Sequence, residues 1–123
     1  MSEHDEQAAL FQWAALMERR VPELRLLYAI PNGGHRHPAT AAKLKREGVK
    51  PGILDTCLPV ARRDWHGMYL EMKYGANKPT PDQRRWMADL QTEGYAVDVS
   101  YGWQEAAAKL LCYLGYDPKE FGL

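Results

Sequence analysis

Two acidic residues and a lysine stand in short segments that otherwise have the composition of buried β-strands. Asp55 ends the sequence PGILD, and Glu71 and Lys73 stand two residues apart in the sequence YLEMK. Because side chains alternate across a strand, Glu71 and Lys73 share one face. A buried charged group is costly unless it is paired. These three positions are therefore the first candidates for a functional site.

The chemistry that this group could perform is hydrolysis of a phosphodiester. If the two segments pair as antiparallel strands, the carboxylate of Asp55 approaches that of Glu71, and two such groups repel unless a proton or a cation separates them. Mg²⁺ prefers hard oxygen ligands and often takes one or two carboxylates. A metal held there can polarise a phosphodiester and lower the pKa of a bound water, while Lys73 orients that water or neutralises charge on the phosphate.

A purely structural interpretation of the same residues is available. Glu71 and Lys73 could form an exposed ion pair on an edge strand, worth at most about 1 kcal/mol, with Asp55 serving only a turn. The ordered set favours a function instead, because Gly52-x-x-Asp55 is followed by Glu71-x-Lys73 on the next predicted strand.

The elements that must position these residues alternate along the chain in the order αβαββαβα. Apolar spacing, capping residues and glycine or proline turns define them. This order predicts an α/β fold with a central mixed β-sheet flanked by helices. The predicted helices span 2–20, 38–47, 80–94 and 104–114, and the predicted strands span 26–30, 53–60, 68–73 and 95–101.

Length and composition set limits on the class of protein. A chain of 123 residues with 46% hydrophobic residues predicts one folded domain over residues 1–123. The two cysteines, Cys57 and Cys112, are expected to be buried, reduced thiols, and the histidines lack the spacing of a zinc site. We also expect no membrane span and a cytoplasmic location.

Basic residues that could bind a nucleic acid are concentrated in one part of the sequence. The formal net charge is zero, so nucleic-acid binding would need clustered basic residues. The predicted second helix is basic and could track phosphates, and the turn before it could bring backbone close to a phosphate. An ordinary strand-ending turn and a solvated helix face are the alternatives. The candidate residues are Asn32, Gly33, Gly34, His35, Arg36, Lys43, Lys45 and Arg46.

Taken together, these motifs resemble the virus-type replication-repair nuclease (VRR-NUC) domain of the PD-(D/E)xK nuclease superfamily. The resemblance covers nearly the whole chain and depends on the order and spacing of its parts. In one departure, Leu54 rather than proline precedes Asp55. The matching residues are Glu3-x-x-x-Gln7, Pro31-Asn32-Gly33-Gly34-His35-Arg36, Lys45-x-x-Gly48-x-x-Pro51-Gly52-x-x-Asp55, Leu70-Glu71-x-Lys73 and Gln83-x-x-Trp86-x-x-x-Leu90-x-x-x-Gly94-Tyr95.

The resemblance implies a restriction-endonuclease-like core and a metal-dependent nuclease. It implies Mg²⁺ or Mn²⁺ bound by Asp55, Glu71 and the backbone carbonyl of Met72, with Lys73 as the catalytic lysine. It also implies an acid from the first helix. Glu3 is preferred for that role, because Glu3 and Gln7 have the family's spacing, and Glu6 is the reserve candidate.

Gln83 has two possible roles. It stands three residues after Thr80, which predicts a capping box at the start of the third helix. The resemblance also places a glutamine here beside the catalytic strand, so we expect it to contribute to the site.

The function expected from the sequence is Mg²⁺-dependent hydrolysis of DNA phosphodiester bonds. Stand-alone members of this size resemble phage or bacterial proteins and dimeric Holliday-junction resolvases, which implies branched DNA, DNA repair and a homodimer. One alternative is a non-catalytic nucleic-acid-binding module with the same fold. Another is a sequence-specific restriction nuclease, which the short chain disfavours because it shows no extra recognition segment.

Overall fold

A computed structural model of the protein describes residues 1–31 and 37–123. Four α-helices and a four-stranded sheet account for most of the described chain, in the predicted order. Two short 3₁₀-helices, Pro22–Leu26 and Pro118–Phe121, accompany them. The helices are α1 (Glu3–Met17), α2 (Pro38–Arg46), α3 (Pro81–Thr92) and α4 (Trp103–Leu114), and the strands are β1 (Tyr28–Ala29), β2 (Thr56–Leu58), β3 (Met68–Lys73) and β4 (Ala96–Tyr101).

The sheet is mixed and has the strand order β1-β2-β3-β4. β2 pairs antiparallel with both β1 and β3, whereas β3 and β4 are parallel and joined through α3. β3 is therefore an inner strand with a partner on each side. The predicted α/β fold with a mixed sheet and flanking helices is confirmed.

The two faces of β3 have opposite environments, as strand alternation requires. Leu70 and Met72 are almost fully buried and join the hydrophobic core with residues of α1 and α4 such as Leu10 and Leu110. Glu71 and Lys73 occupy the intervening positions and project from the other face. The core side of the strand thus fixes where its charged side points.

Side-chain caps set the starts of the two helices that reach the site. Ser2 caps α1, its Oγ accepting from the N–H of Asp5 at 3.2 Å. At α3, Thr80 and Gln83 form the predicted capping box. Both ends are therefore fixed by local chemistry that the sequence already indicates.

Several predicted boundaries are too long. The first strand is only Tyr28–Ala29, because Pro22 starts a 3₁₀-helix that ends at Leu26. The second strand begins at Thr56, so Asp55 lies just before the strand rather than inside it. The first helix ends at Met17 instead of about Arg20.

One predicted thiol has a different environment. Cys57 is buried as expected, but Cys112 is exposed on α4 and the expectation of a second buried thiol is wrong. In the described parts of the chain, no helix combines the length and the apolar character needed to span a bilayer.

Candidate metal centre

Glu71 and Lys73 form a buried ion pair on the inner strand β3. Glu71 is 1% exposed and Lys73 is 6% exposed, and Lys73 Nζ lies 3.2 Å from Glu71 Oε2. β3 is not an edge strand, so the interpretation as a solvated edge pair is wrong. This pair is not an ordinary surface salt bridge, because removing both charged groups from water costs several kcal/mol.

Asp55 reaches Glu71 from the segment that leads into β2. Its Oδ2 accepts a hydrogen bond from the N–H of Met72 at 2.8 Å, and its carbonyl accepts one from the N–H of Ile30 at 2.7 Å. These two bonds fix the residue against β3 and against the residue that follows β1. The predicted convergence of Asp55 and Glu71 is therefore present in the structure.

A third carboxylate comes from the first turn of α1. One carboxylate oxygen from each of Glu3, Asp55 and Glu71 lies within 4.8 Å of the other two. Glu3 is thus the first-helix acid in the cluster. Glu6 has another partner, since its buried carboxylate accepts from the N–H of Trp103 at 3.0 Å and caps α4.

Gln83 joins the cluster through its side-chain amide. Its Nε2 donates to Glu71 Oε2 at 2.7 Å, while its Oε1 accepts from the N–H of Thr80 at 2.9 Å. The residue therefore caps α3 and holds the Glu71 carboxylate at the same time. The predicted capping box is present, and a contribution of Gln83 to the reaction stays a prediction.

The pKa of Glu71 shows how unfavourable the cluster is without a cation. Burial and then the negative charge of Asp55 raise the pKa of Glu71 to about 8, although Lys73 acts in the opposite direction. Burial also raises the pKa of Asp55, partly offset by its hydrogen bonds. Two adjacent buried carboxyl groups thus favour sharing a proton over both being ionised.

The donor set fits a hard divalent cation. Glu71 Oε1 is buried and has no hydrogen-bond partner among the described residues when both carboxylates are ionised. Buried oxygens normally have a partner, so a lone pair of this atom is available to a ligand. Three carboxylates match the oxygen preference of Mg²⁺ or Mn²⁺. The assignment of the Met72 carbonyl as a further ligand stays a prediction.

The predicted nucleic-acid contacts are described only in part. Lys43, Lys45 and Arg46 lie in α2 with their side chains exposed. The other predicted contacts, Asn32, Gly33, Gly34, His35 and Arg36, lie outside the described residues.

Asn77, in the segment between β3 and α3, contacts the cluster although no sequence motif indicates it. Its Nδ2 donates to Glu3 Oε2 at 3.2 Å. A single asparagine in a polar connection matches no spacing pattern, so only the fold brings it to attention.

Comparison with known proteins supports the resemblance seen in the motifs. Neither the models of known protein families nor the curated protein sequences give a match. Among solved structures, the chain is similar to one described as a "VRR_NUC domain protein", with 27% sequence identity and a TM-score of 0.78. The similarity covers 95% of this chain and 91% of the other. The motif order, the fold and this similarity agree, and together they support a VRR-NUC domain with a restriction-endonuclease-like α/β fold.

Proposed function

We propose that residues 1–123 act as one nuclease domain that hydrolyses DNA phosphodiester bonds with Mg²⁺ or Mn²⁺. The observation that carries the proposal is the convergence of Glu3, Asp55 and Glu71 beside Lys73. A structural cluster needs no third acid, because each added carboxylate increases the repulsion. A bound cation would offset this repulsion and would account for all three carboxylates.

Each side chain of the cluster would have a separate role in the reaction. Glu3, Asp55 and Glu71 would hold the cation, which when bound supplies positive charge that polarises the phosphodiester and favours ionisation of water. Gln83 keeps one Glu71 oxygen fixed through its 2.7 Å hydrogen bond. Lys73 places an ammonium at the same edge of the cluster, where it can stabilise charge that develops on the phosphate oxygens.

The proposed substrate is branched DNA, such as a Holliday junction, cut by a homodimer. The exposed basic side chains of α2 support recognition through phosphates, which gives affinity without base specificity. A two-fold dimer would present two equivalent sites to the two strands of a symmetric junction.

The test is cleavage of labelled four-way, flap, nicked and linear DNAs with Mg²⁺, by wild type, Asp55→Asn and Lys73→Ala. Asparagine keeps an acceptor for the Met72 N–H but lacks the charge that holds a cation. We expect each variant to lose at least 100-fold in cleavage rate while still binding DNA. Asp89→Asn, an exposed position on α3, is the matched control and should cleave normally.

Calorimetric titration with Mn²⁺ separates this proposal from the binding-module alternative. Wild type should bind Mn²⁺ and Asp55→Asn should bind it at least tenfold more weakly. Unchanged cleavage by Lys73→Ala, or the absence of Mn²⁺ binding by wild type, would contradict the proposal. Light scattering of the free protein and its junction complex tests the dimer.

A further inference from the structure

Asn77 links the acid of the first helix to the last residue of β4, Tyr101. Its side-chain amide donates to Glu3 Oε2 at 3.2 Å, across 74 residues of sequence. We propose that Asn77 is a positioning residue that orders Glu3 for cation binding, and that Tyr101 in turn holds Asn77. This inference rests on the proposed function, because it assumes that the carboxylate cluster binds a metal ion.

Glu3 is the carboxylate of the cluster that most needs such support. It is the first residue of α1 and is only partly buried, whereas Glu71 is buried inside the sheet. A long side chain on a helix end loses rotamer freedom when it binds a cation, and this loss opposes binding. A hydrogen bond that orders the side chain beforehand removes part of this cost.

The position of Asn77 is itself fixed by the strand ends. Gly75, at a positive φ of 62°, turns the chain after β3, and the N–H of Asn77 donates to the Tyr74 carbonyl at 3.3 Å. The Asn77 carbonyl accepts from Tyr101 Oη at 2.8 Å. Tyr101 pairs with Lys73 in the parallel register of β4 and β3. A continuous connection thus runs from the sheet through Tyr101 and Asn77 to Glu3.

The three carboxylates share one mode of support. In each, one oxygen accepts from an amide N–H: the backbone of Met72 donates to Asp55, the side chain of Gln83 to Glu71, and the side chain of Asn77 to Glu3. Amide donors orient a carboxylate without adding charge that would compete with a cation. Outer partners of this kind typically change metal affinity by about 10- to 100-fold when they are lost.

The experiment measures Mn²⁺ affinity by calorimetry for wild type, Asn77→Ala, Glu3→Ala and the double variant. Asn77→Ala should weaken Mn²⁺ binding by about tenfold. In the Glu3→Ala background the same substitution should have no further effect, because Asn77 acts through Glu3. Tyr101→Phe removes only the support of Asn77 and should produce a smaller loss of affinity than Asn77→Ala.

Thermal unfolding in EDTA serves as the structural control, and all five proteins should unfold cooperatively. Equal Mn²⁺ affinity in wild type and Asn77→Ala would overturn the inference while leaving the proposed function intact. So would a loss that persists in the Glu3→Ala background, since Asn77 would then act on something else. Failure of wild type to bind Mn²⁺ would overturn the proposed function as well.

Discussion

At the scale of single residues, Glu71 is where burial and charge are in strongest conflict. Its carboxyl group lies in a nearly solvent-free position beside the cation Lys73 and two other carboxylates, of which Asp55 raises its pKa. The ion pair with Lys73 is not sufficient to keep the group ionised, because its pKa rises to about 8. The raised pKa favours a proton in the metal-free cluster, and we expect metal binding to release it.

This conflict predicts a pH-dependent stability in EDTA. The pKa of Glu71 is about 8 in the folded protein, against 4.5 for an unperturbed glutamate. A raised pKa gives stability that is complete below the unfolded pKa and lost as pH increases through the folded value. Between about pH 5 and pH 8, the melting temperature of wild type should therefore fall more steeply than that of Glu71→Gln, whose side chain does not titrate.

Scanning calorimetry across this pH range makes the comparison. Excess Mg²⁺ should raise the wild-type melting temperature most at the alkaline end, where the cluster is ionised and repulsive. Parallel curves for the two proteins in EDTA would show that Glu71 has an ordinary pKa.

At the scale of elements, two acids one turn apart on α1 have separate tasks. Glu6 caps α4, which needs an external acceptor because its own N-cap residue, Gly102, offers no side chain. Glu3 faces the carboxylate cluster instead. In α1, Glu6 therefore stabilises the start of α4, and Glu3 contributes a carboxylate to the cluster.

The two substitutions should therefore have crossed effects. Glu6→Ala removes a cap and leaves the Trp103 N–H without its acceptor, so it should lower the free energy of unfolding by about 1 to 2 kcal/mol. Its Mn²⁺ affinity should stay near that of wild type. Glu3→Ala should do the reverse, weakening Mn²⁺ binding with less than about 0.5 kcal/mol of change in stability.

Urea unfolding in EDTA and calorimetric Mn²⁺ titration provide the two measurements. Loss of Mn²⁺ binding by Glu6→Ala, with Glu3→Ala unaffected, would reverse the assignment of the first-helix acid.

The elements also show what the sequence could and could not predict. β3 was predicted at its observed bounds because strict alternation and two flanking turns define it. The predicted first strand was too long because Leu26 and Leu27 have the composition of a strand. In the structure, Pro22 starts a 3₁₀-helix that includes Leu26. Local composition does not reveal which of two such tendencies prevails, since packing decides it.

At the scale of the whole molecule, the site depends on contacts between distant parts of the chain. The convergence of Asp55 and Glu71 was predictable because a short hairpin joins their strands. The resemblance already favoured Glu3 over Glu6, whereas the role of Glu6 as the cap of α4 required the packing of α1 against α4, and the contact of Asn77 required the end of β4. Sequence patterns report local spacing, and such long-range contacts leave no trace in one sequence.

The basic residues of α2 predict a DNA affinity that falls as the salt concentration rises, because they would contact phosphates. Lys45 and Arg46 are exposed in the last turn of that helix, and they belong to the basic stretch between residues 37 and 50. Each lost phosphate contact should reduce the slope of log K against log salt by about 0.9. In an Asp55→Asn background, which prevents cleavage, Lys45→Ala with Arg46→Ala should lower the slope by about 1 to 2.

Fluorescence anisotropy on a labelled four-way junction, repeated over a series of salt concentrations, measures that slope. Lys119→Ala is the matched control. Its neighbour Glu120 accepts a hydrogen bond, through its carbonyl, from Arg20. Arg20 follows the C-terminal end of α1, whereas Glu3 is at the N-terminal end, so Lys119 lies far from the carboxylates. The control should bind like its parent at every salt concentration. If it lowered the slope as much as the α2 substitutions, DNA would be held by diffuse charge, and α2 would have no special part in orienting the junction over the carboxylates.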